Sequence, residues 1–546
     1  MKYLLLIMMV AVAFAANAQS TRSLPAIETV KFKKDTFSIV KYGAVADGVT
    51  LNTKSINDAI TACNKKGGGV VMIPEGMWLT GPVEIKSNVN LYLKAGSVLQ
   101  FTDDKSQYNL YEGNFEGLKA VRNQSPVSAT NATNIAITGS GIIDGNGDAW
   151  RMVRKDKLNE TQWKKLVASG GLLSDDKKTW YPSQGSFAGS SVKNPGVIEN
   201  GKTIKDYEAI KDFLRPNLLL IANCKKVLLE GVTFQNSPAW CMHPLMSSDI
   251  IIRNVYAKNP FYAQNGDGLD LESCKNVLIE NSTFDVGDDG ICIKSGRDEQ
   301  GRKRNMPTEN VVIRKCVVYH AHGGFVIGSE MSGGAKNIYV SDCSFIGTDI
   351  GLRFKTTRGR GGIVENIFID HIVMKDIAAE ALLFDMYYMA KDPVVLAGET
   401  REEPKVELFP VDAGTPQFKN FYIKNIVCNG ADKAIFIRGL PEMSIKNIYL
   451  QDMTLKARVG MDCTEATGIS LKNINLITKE TKPVLRVDNS RDITLDNIKY
   501  NSGADLLINL SGEKTSAVKM LNTNVAGAKQ KATFTAGATA AMLEIK

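Results

Sequence analysis

After its first 18 residues, the 546-residue sequence contains no apolar run long enough to span a bilayer. It also lacks a block of Lys and Arg with interleaved aromatic residues, and its formal net charge of +8 is mild for this length. The nine cysteines show no metal-ligand spacing, so we interpret them as small buried hydrophobes, with one or two disulfides left open. These absences argue against a membrane partner, a nucleic-acid partner and a cysteine-bound metal.

The first 18 residues are interpreted as a secretory signal peptide that is not part of the fold. Lys2 gives a positive start, residues 3–15 are almost wholly apolar, and Ala16–Ala18 forms a small-x-small cleavage signal. A membrane anchor is the alternative, but the apolar run is too short to span a bilayer comfortably. We therefore expect an exported protein, periplasmic or extracellular, with one domain over residues 19–546.

One short sequence motif recurs along the chain. Most copies place Asn or Asp directly before a run in which apolar, often β-branched residues alternate with others. The first apolar residues of these runs are Val227, Ile250, Val277, Val311, Ile338, Ile367, Phe421, Ile448, Ile474 and Ile493. Successive steps measure 19 to 34 residues, except for one of 54 residues that indicates an insertion at about 383–415.

Repeats of this length with strand-like alternation indicate a solenoid built from β-strands. Asn tolerates a left-handed φ at a turn, and stacked Asn side chains can hydrogen-bond along the solenoid axis. The sequence therefore predicts an all-β protein, a single-stranded right-handed parallel β-helix. Leucine-rich repeats are disfavoured because no Leu-x-x-Leu-x-Leu pattern recurs, and propellers because each unit is too short for a four-stranded blade.

Composition marks the ends and interruptions of the predicted solenoid. Residues 53–65 are predicted to form an N-terminal capping helix whose apolar face contains Ile56, Ala59, Ile60 and Cys63. The charged residues 151–212 break the repeat, and we expect a loop insertion with some helix there. Residues 511–546 are predicted to form a last partial coil or C-terminal cap.

Four short segments place polar groups at one point of this repeat. The segments are Asn265–Gly268, Gly287–Gly290, His322–Gly324 and Arg353–Lys355, and their reference glycines are Gly268, Gly290, Gly324 and Gly351. These glycines are 22, 34 and 27 residues apart. Because neighbouring coils of a β-helix lie about 4.8 Å apart, the four segments should stack on one face.

Stacking brings three carboxylates together, with Asp267 and Asp289 at equivalent positions of adjacent coils and Asp288 beside them. Such a group cannot be fully ionised at neutral pH without a large cost, so at least one pKa should rise. The result is one acid and one or two bases, which hydrolysis of a glycosidic bond requires. A single Asp-Gly or Asn-Gly is more simply a turn, and it is the common register of four segments that favours a site.

A histidine and two cations complete the predicted site. His322 falls one coil after Asp288, where it could hydrogen-bond a carboxylate and tune its proton affinity. Arg353 and Lys355 follow one coil later on a shared face, and a guanidinium beside an ammonium suits a sugar carboxylate.

Four further residues are left with two interpretations each. Trp240 and His243 precede the catalytic coils by about one repeat and are assigned to a sugar subsite, although Trp240 could equally pack at a corner. Asp270 could be exposed or brace a neighbour. Lys294 could be a solvated charge or a substrate contact.

The four segments resemble the motifs of glycoside hydrolase family 28, the polygalacturonases and their relatives. That family carries Asn-Thr-Asp, Gly-Asp-Asp, Gly-His-Gly and Arg-Ile-Lys in this order. The chain has Asn265–Asp267, Gly287–Asp289, Ala321–Gly323 and Arg353–Lys355. The departures, Gly266, Ala321 and Phe354, remove no reacting group, and the resemblance to bacterial exo-acting members extends along most of the chain.

The resemblance implies hydrolysis of α-1,4 bonds between galacturonic acid units with inversion, and no metal or other cofactor. The implied catalytic residues are Asp288 as the general acid, Asp267 and Asp289 as the groups that hold and activate water, and His322 as an assisting residue. Arg353 and Lys355 would bind the galacturonate carboxylate, and Asn265 is assigned to substrate binding with them.

We expect a monomer whose partner is a pectic polysaccharide or oligogalacturonide. The insertions at 151–212 and 383–415 could close one end of a cleft, which favours attack at a chain end. Three alternatives remain open. One is a hydrolase of the same family acting on rhamnogalacturonan or decorated galacturonan. The others are a calcium-dependent pectate lyase, with the Asp triplet as ligands, and a noncatalytic carbohydrate-binding β-helix.

Overall fold

The computed structural model describes residues 27–388 and 407–546. Over these residues the chain winds through parallel strands that return to three stacks, named here sheets A, B and C. Each strand pairs with its counterpart in the next coil, and parallel connections of this kind are right-handed. The predicted right-handed parallel β-helix is confirmed. The predicted signal peptide and much of the predicted insertion at 383–415 lie outside the described residues.

The strands of each stack follow in chain order. Sheet A contains Thr36–Ser38, Gly69–Ile73, Val89–Leu93, Thr133–Gly139, Lys225–Glu230, Ser248–Arg253, Lys275–Glu280, Thr308–Arg314, Ala335–Ile346, Ile363–Lys375, Gln417–Asn429, Ile445–Ala457, Ala466–Thr478, Arg491–Tyr500, Ser516–Leu521 and Leu543–Ile545. Sheet B contains Asp47–Leu51, Gly76–Thr80, Ser97–Phe101, Ile142–Asp144, Thr233–Gln235, Tyr256–Lys258, Thr283–Asp285 and Val317–Tyr319, and from Ala335–Ile346 onward single long strands continue both sheets. Sheet C contains Val83–Glu84, Val127–Thr130, Leu219–Ala222, Met242–Leu245, Leu269–Glu272, Asp289–Lys294, Gly323–Ile327, Leu352–Lys355, Glu380–Asp385, Lys433–Arg438, Val459–Thr464, Leu485–Asp488, Ala504–Ser511 and Ala528–Thr535.

Helices and antiparallel strands interrupt the coils. The α-helices of the described residues are Thr53–Lys65, Glu160–Ala168, Gln184–Ser190 and Asp298–Arg304. Short 3-10 helices cover Ile39–Tyr42, Lys105–Gln107, Gly147–Ala149, Lys155–Lys157, Ile204–Phe213, Val525–Gly527 and Ala540–Met542. Outside the three stacks, Leu110–Phe115 pairs with Leu118–Asn123 in a hairpin, and Val153–Arg154, Thr179–Tyr181 and Leu172–Leu173 form a small antiparallel sheet.

The first helix closes the N-terminal end of the solenoid, as predicted. Its bounds are Thr53–Lys65, and its buried residues are Ile56, Ala59, Ile60 and Cys63. Behind it, one apolar core of Val, Ile, Leu and Phe fills the interior of the coils. All nine cysteines are buried as free thiols, in agreement with their interpretation as small hydrophobes.

A column of asparagines marks the corner that precedes the strands of sheet A. Asn310 donates to Asn276 at 3.3 Å, Asn337 donates to Asn310 at 3.3 Å, and the chain of bonds continues through Asn366 and Asn420. Each of these residues has a left-handed φ, for example 57° at Asn276. The predicted stacking of turn asparagines along the axis is therefore confirmed.

The strand register agrees with most of the predicted repeat and corrects one of its positions, Ile474, and with it the steps on both sides. Ile448 pairs with Ile469, not with Ile474, which pairs with Ile498 instead. Asn473 belongs to a second corner, where it donates to Asp452 at 2.8 Å. Two corners of the coil carry the same Asn-before-strand pattern, and the sequence alone does not separate them.

The two predicted insertions differ in their structure. Residues 151–212 contain the small antiparallel sheet and the helices Glu160–Ala168 and Gln184–Ser190. The second insertion begins later than residue 383, because Glu380–Asp385 is a strand of sheet C that pairs with both of its neighbours. Ile367 pairs directly with Phe421, so the chain between them leaves and rejoins sheet A without changing its register.

Candidate active site

Three carboxyls meet where the strands of sheet C begin. Leu269 pairs with Ile291 and Asp289 pairs with Gly323, so the four reference glycines share one register, as predicted. One carboxylate oxygen from each of Asp267, Asp288 and Asp289 lies within 4.8 Å of the others. Asp267 and Asp289 are almost fully buried, while the side chain of Asp288 is 23% exposed. Among the three, Asp288 presents the accessible carboxyl.

Two cations hold Asp289 from the coils that follow. Arg353 donates to its Oδ1 at 3.2 Å, and Lys355 donates to its Oδ2 at 2.7 Å. Burial favours the neutral acid, but Lys355 and Arg353 outweigh it and lower the pKa of Asp289. The ring of Tyr388 lies over both cations, with its centroid 4.9 Å from Lys355 Nζ. Asp289 therefore stays ionised.

Asp288 and His322 form the second pair. His322 Nδ1 lies 3.2 Å from Asp288 Oδ1, and the backbone N–H of His322 donates to the carbonyl of Asp288 at 2.9 Å. Burial would raise the pKa of Asp288, but His322 and Lys355 outweigh it and lower the pKa. Burial opposes the charge on His322, and Asp288 then raises its pKa above the usual range. Asp349, which no sequence pattern singles out, lies 3.7 Å from His322 Nε2.

The third carboxyl, Asp267, keeps its proton more firmly. Burial, followed by the charges of Asp270 and Asp288, raises the pKa of Asp267 well above its usual range. Its Oδ1 is buried and has no hydrogen-bond partner among the described residues. The site thus separates its acids, with Asp267 neutral and Asp289 ionised.

Asp270 and Lys294 belong to a buried network beneath the carboxyls. Asp270 is fully buried, so the interpretation as an exposed residue is wrong. Lys294 Nζ lies 3.4 Å from Asp270 Oδ1 and 2.9 Å from Glu330 Oε2, so it is neither solvated nor turned toward a groove. Burial raises the pKa of Asp270 well above its usual range, despite the opposing effect of Lys294. Because a charge on Asp270 would oppose a charge on Asp267, the two buried carboxyls do not ionise together.

The structure places Trp240 and His243 differently from the predicted sugar subsite. Both side chains are essentially inaccessible, at 1% and 0% exposure. The ring of Phe115 stacks on Trp240 at 5.4 Å, and the two ring nitrogens of His243 contact Asn217 and Glu272 at 3.0 Å each. The prediction that these residues contact a sugar is therefore corrected, and both have packing roles. The hairpin that carries Phe115 covers Trp240.

Asn265 lies at the edge of the site and is held by an arginine. Its Oδ1 accepts from Arg215 at 2.9 Å, and the same guanidinium donates to the carbonyls of Pro238 and Gln264 at 2.9 Å. Arg215 precedes Asn265 by two coils and fits no repeat pattern, so the sequence offered no signal for it. It extends the positive charge of the site on the side opposite Arg353 and Lys355.

The carboxyl triad is a poor site for a divalent cation. Both oxygens of Asp289 are engaged by Arg353 and Lys355, which leaves Asp267 and Asp288 as donors. Ca²⁺ takes six to eight oxygen ligands. The ammonium and guanidinium groups in contact with Asp289 would also repel it. This arrangement weakens the calcium-dependent lyase alternative.

Comparison with known proteins agrees with this geometry. The family model described as Glycosyl hydrolases family 28 matches residues 178–401, which include all four segments. Over these residues the chain is similar to this family. A probable polygalacturonase of Vitis vinifera is 29% identical over 466 residues, which cover 82% of this chain and 81% of the relative. An exo-poly-alpha-D-galacturonosidase of Dickeya chrysanthemi is 27% identical over 85% of this chain and 74% of its own length.

A solved exopolygalacturonase structure shares most of the architecture. The hyperthermoactive exopolygalacturonase from Thermotoga maritima is 29% identical and matches with a TM-score of 0.66. The match covers 82% of this chain and 93% of that enzyme. Because the match covers most of the chain, the shared β-helix extends beyond the coils that carry the site.

Proposed function

We propose that this family 28 glycoside hydrolase cleaves α-1,4-galacturonosidic bonds of polygalacturonate from one chain end, with inversion. The observation that carries the proposal is the carboxyl triad, whose oxygens lie within 4.8 Å of each other and whose Asp289 is bound by Arg353 and Lys355. Acids of different protonation beside fixed cations suit hydrolysis of a glycosidic bond between anionic sugars. The exopolygalacturonase names of two of the relatives support the same substrate and the exo mode.

Each residue of the site has one role in the proposed reaction. The Asp288–His322 pair holds one proton, which rests on His322 because the pKa of His322 is raised and that of Asp288 is lowered. Asp288, as the accessible carboxyl, takes this proton from His322 and passes it to the oxygen of the leaving sugar as the C1–O bond breaks. Water held between Asp267 and Asp289 adds to C1, and its proton goes to the ionised Asp289. Arg353 and Lys355 bind the carboxylate of the sugar in the site and keep Asp289 ionised.

A hairpin supports attack at a chain end. Leu110–Phe115 and Leu118–Asn123 extend over Trp240 toward the segment before helix Asp298–Arg304. The hairpin tip is attached there, since the N–H of Arg297 donates to the carbonyl of Gly117 at 3.3 Å and its guanidinium pairs with Glu116 at 3.3 Å. A side chain at Gly117 would meet the backbone of Arg297 at 2.5 Å, so glycine is required. This wall would stop a polymer from running through the site.

Export, a monomeric state and a pectic polysaccharide as sole partner complete the proposal. No helix of the described residues has the length and apolarity needed to cross a membrane. The mild positive charge of +8 is compatible with an anionic polysaccharide.

Digestion of polygalacturonate tests the proposed function. Chromatography of the first minutes should give a single small product, and ¹H NMR should detect its β-anomer first, because inversion converts the α-bond. The anomer is decisive because carboxyls about 5 Å apart are also found in two-carboxylate retaining enzymes. An unsaturated product that is lost with a chelator would contradict hydrolysis, a ladder of oligomers would contradict exo action, and binding without turnover would indicate a noncatalytic protein. Faster cleavage of rhamnogalacturonan than of polygalacturonate would make rhamnogalacturonan the preferred substrate.

The Asp288–His322 pair predicts a pH dependence. Because the pKa of His322 is raised, the proton of the pair is present at low pH and is lost as pH rises through that value, so the basic limb of kcat/KM should lie above about 6.5. The pair should also stabilise the fold, and this stabilisation is lost as pH rises through the raised pKa of His322. On the acid side it is lost as pH falls below the lowered pKa of Asp288. His322→Gln should remove this basic limb.

A second histidine provides the control for the pH profile. His320 Nδ1 lies 3.0 Å from Asp285 at an exposed corner outside the site. His320→Gln should leave the profile unchanged. A basic limb that persists in His322→Gln would show that another group carries the proton.

A further inference from the structure

A cavity of about 260 Å³ lies beside the catalytic coils. The hairpin forms one wall, residues of the 151–212 insertion form another, and Arg215 and Asn265 form the side nearest the carboxyls. The lining residues are Phe115, Glu116, Leu118, Ala120, Arg122, Met152, Asn194, Pro195, Val197, Phe213, Arg215, Asn265 and Arg297. Its volume lies below the roughly 300–1,000 Å³ of pockets for drug-sized ligands, so it suits one sugar ring rather than two.

Two buried guanidiniums face this cavity without an acidic partner. Arg122 and Arg215 are 6% and 8% exposed, and neither forms an ion pair with a described residue. Arg122 lies 3.6 Å above the ring of Phe115 and donates to the carbonyl of Arg215. Arg215 donates to the carbonyls of Pro238 and Gln264 and to Asn265 Oδ1. All of these acceptors are neutral, and a buried charge without a counterion is costly.

The electrostatics show how strongly the pair needs an anion. Burial, followed by repulsion from Arg215, lowers the pKa of Arg122 to about 9. Burial also lowers the pKa of Arg215 to about 10. Burial raises the pKa of the nearby Glu116, so that its carboxyl is better suited to hydrogen-bond a hydroxyl than to neutralise the arginines. The cavity thus offers cations to a carboxylate and polar groups to sugar hydroxyls.

We propose that this cavity binds the terminal sugar of the substrate and that Arg122 and Arg215 recognise its free carboxylate. The proposal rests on the proposed function and adds two properties to it. The terminal residue must be an unesterified uronate, and the product released is a monosaccharide. Because methyl esters would remove the recognised charge, a reaction that hydrolyses methyl esters must precede this enzyme on esterified pectin.

The first test compares trigalacturonate with trimers methyl-esterified on one terminal residue, at either end. We expect kcat/KM of the wild-type protein to fall about 10- to 100-fold for the isomer whose ester enters the cavity, as for loss of a charge-assisted hydrogen bond. In Arg122→Gln, the free trimer should be cleaved with a raised KM, and the difference between free and esterified trimers should disappear. Equal rates of the wild-type protein on all three trimers would overturn the proposal.

The second test does not depend on turnover. Galacturonate, but not galactose, should raise the melting temperature of the wild-type protein and of Asp288→Asn, and this shift should be lost in Arg122→Gln. Arg154→Gln is the matched control, because Arg154 is half-exposed in the same insertion and pairs with Asp156, away from the cavity. If Arg122→Gln does not fold, Arg215→Gln serves, since it removes the other proposed carboxylate contact and Arg215 is 8% exposed. A galacturonate shift that persists in the folded cavity variant overturns the proposal even if polygalacturonate is cleaved.

Discussion

Replacing Asp288 by Asn should lower kcat on polygalacturonate by about 10³-fold while the solenoid stays folded. The amide cannot pass a proton to the leaving oxygen, and Asp288 is the one carboxyl of the triad whose side chain is appreciably exposed, at 23%. Steady-state kinetics measure the loss, and circular dichroism with thermal unfolding checks the fold.

Asp285→Asn is the matched control for this variant. Asp285 also pairs with a histidine, His320, at 3.0 Å, but at a corner outside the site. Its replacement should leave kcat unchanged. Near-full activity of Asp288→Asn would remove this residue from the role of general acid and turn attention to Asp267, whose pKa is raised.

Replacing Asp289 by Asn should affect both activity and stability. It removes the group that we propose accepts the proton of water, which should cost about 10²- to 10⁴-fold in kcat. It also leaves Arg353 and Lys355 buried without their counterion, at a cost of about 3–5 kcal/mol in the free energy of unfolding. Kinetics and urea unfolding of the same preparation measure the two effects.

Glu280→Gln is the control for Asp289→Asn, because it removes an ion pair at the surface and not a buried one. Glu280 accepts from Arg314 at 2.6 Å on the outer face of sheet A, where the Arg314 side chain is 39% exposed. Loss of such a pair should cost no more than about 1 kcal/mol and no activity. If Asp289→Asn proves as stable as Glu280→Gln, the two cations do not depend on Asp289, and its ionised state has another cause.

The sequence predicted the coils and the triad because both depend on local rules. A parallel β-helix repeats one strand spacing, so equal offsets along the chain become equal positions in space. The offset of 22 residues between Asp267 and Asp289 was therefore enough to place them in adjacent coils. The same logic failed at Ile474, because two corners of the coil use the same Asn-before-strand pattern.

Contacts made across the repeat could not be predicted. The hairpin that covers Trp240 lies more than 100 residues before it in the chain, and nothing in the composition of that hairpin indicates where it docks. The buried network of Asp270, Lys294 and Glu330 is equally non-local, because Glu330 reaches Lys294 across a coil boundary. Residues that shape the pocket lie in insertions that do not follow the period of the solenoid.

The position of the site along the rod has a consequence for durability. Each coil is bonded to the coils above and below it, so stability accumulates between nearest neighbours. Six described strands of sheet C follow Leu352–Lys355 before the C-terminal end is reached. Proteolytic trimming from that end would thus shorten the rod by whole turns before it reached the reacting groups. The distal coils therefore place the reacting groups far from that end of the solenoid, where unfolding and proteolysis would begin.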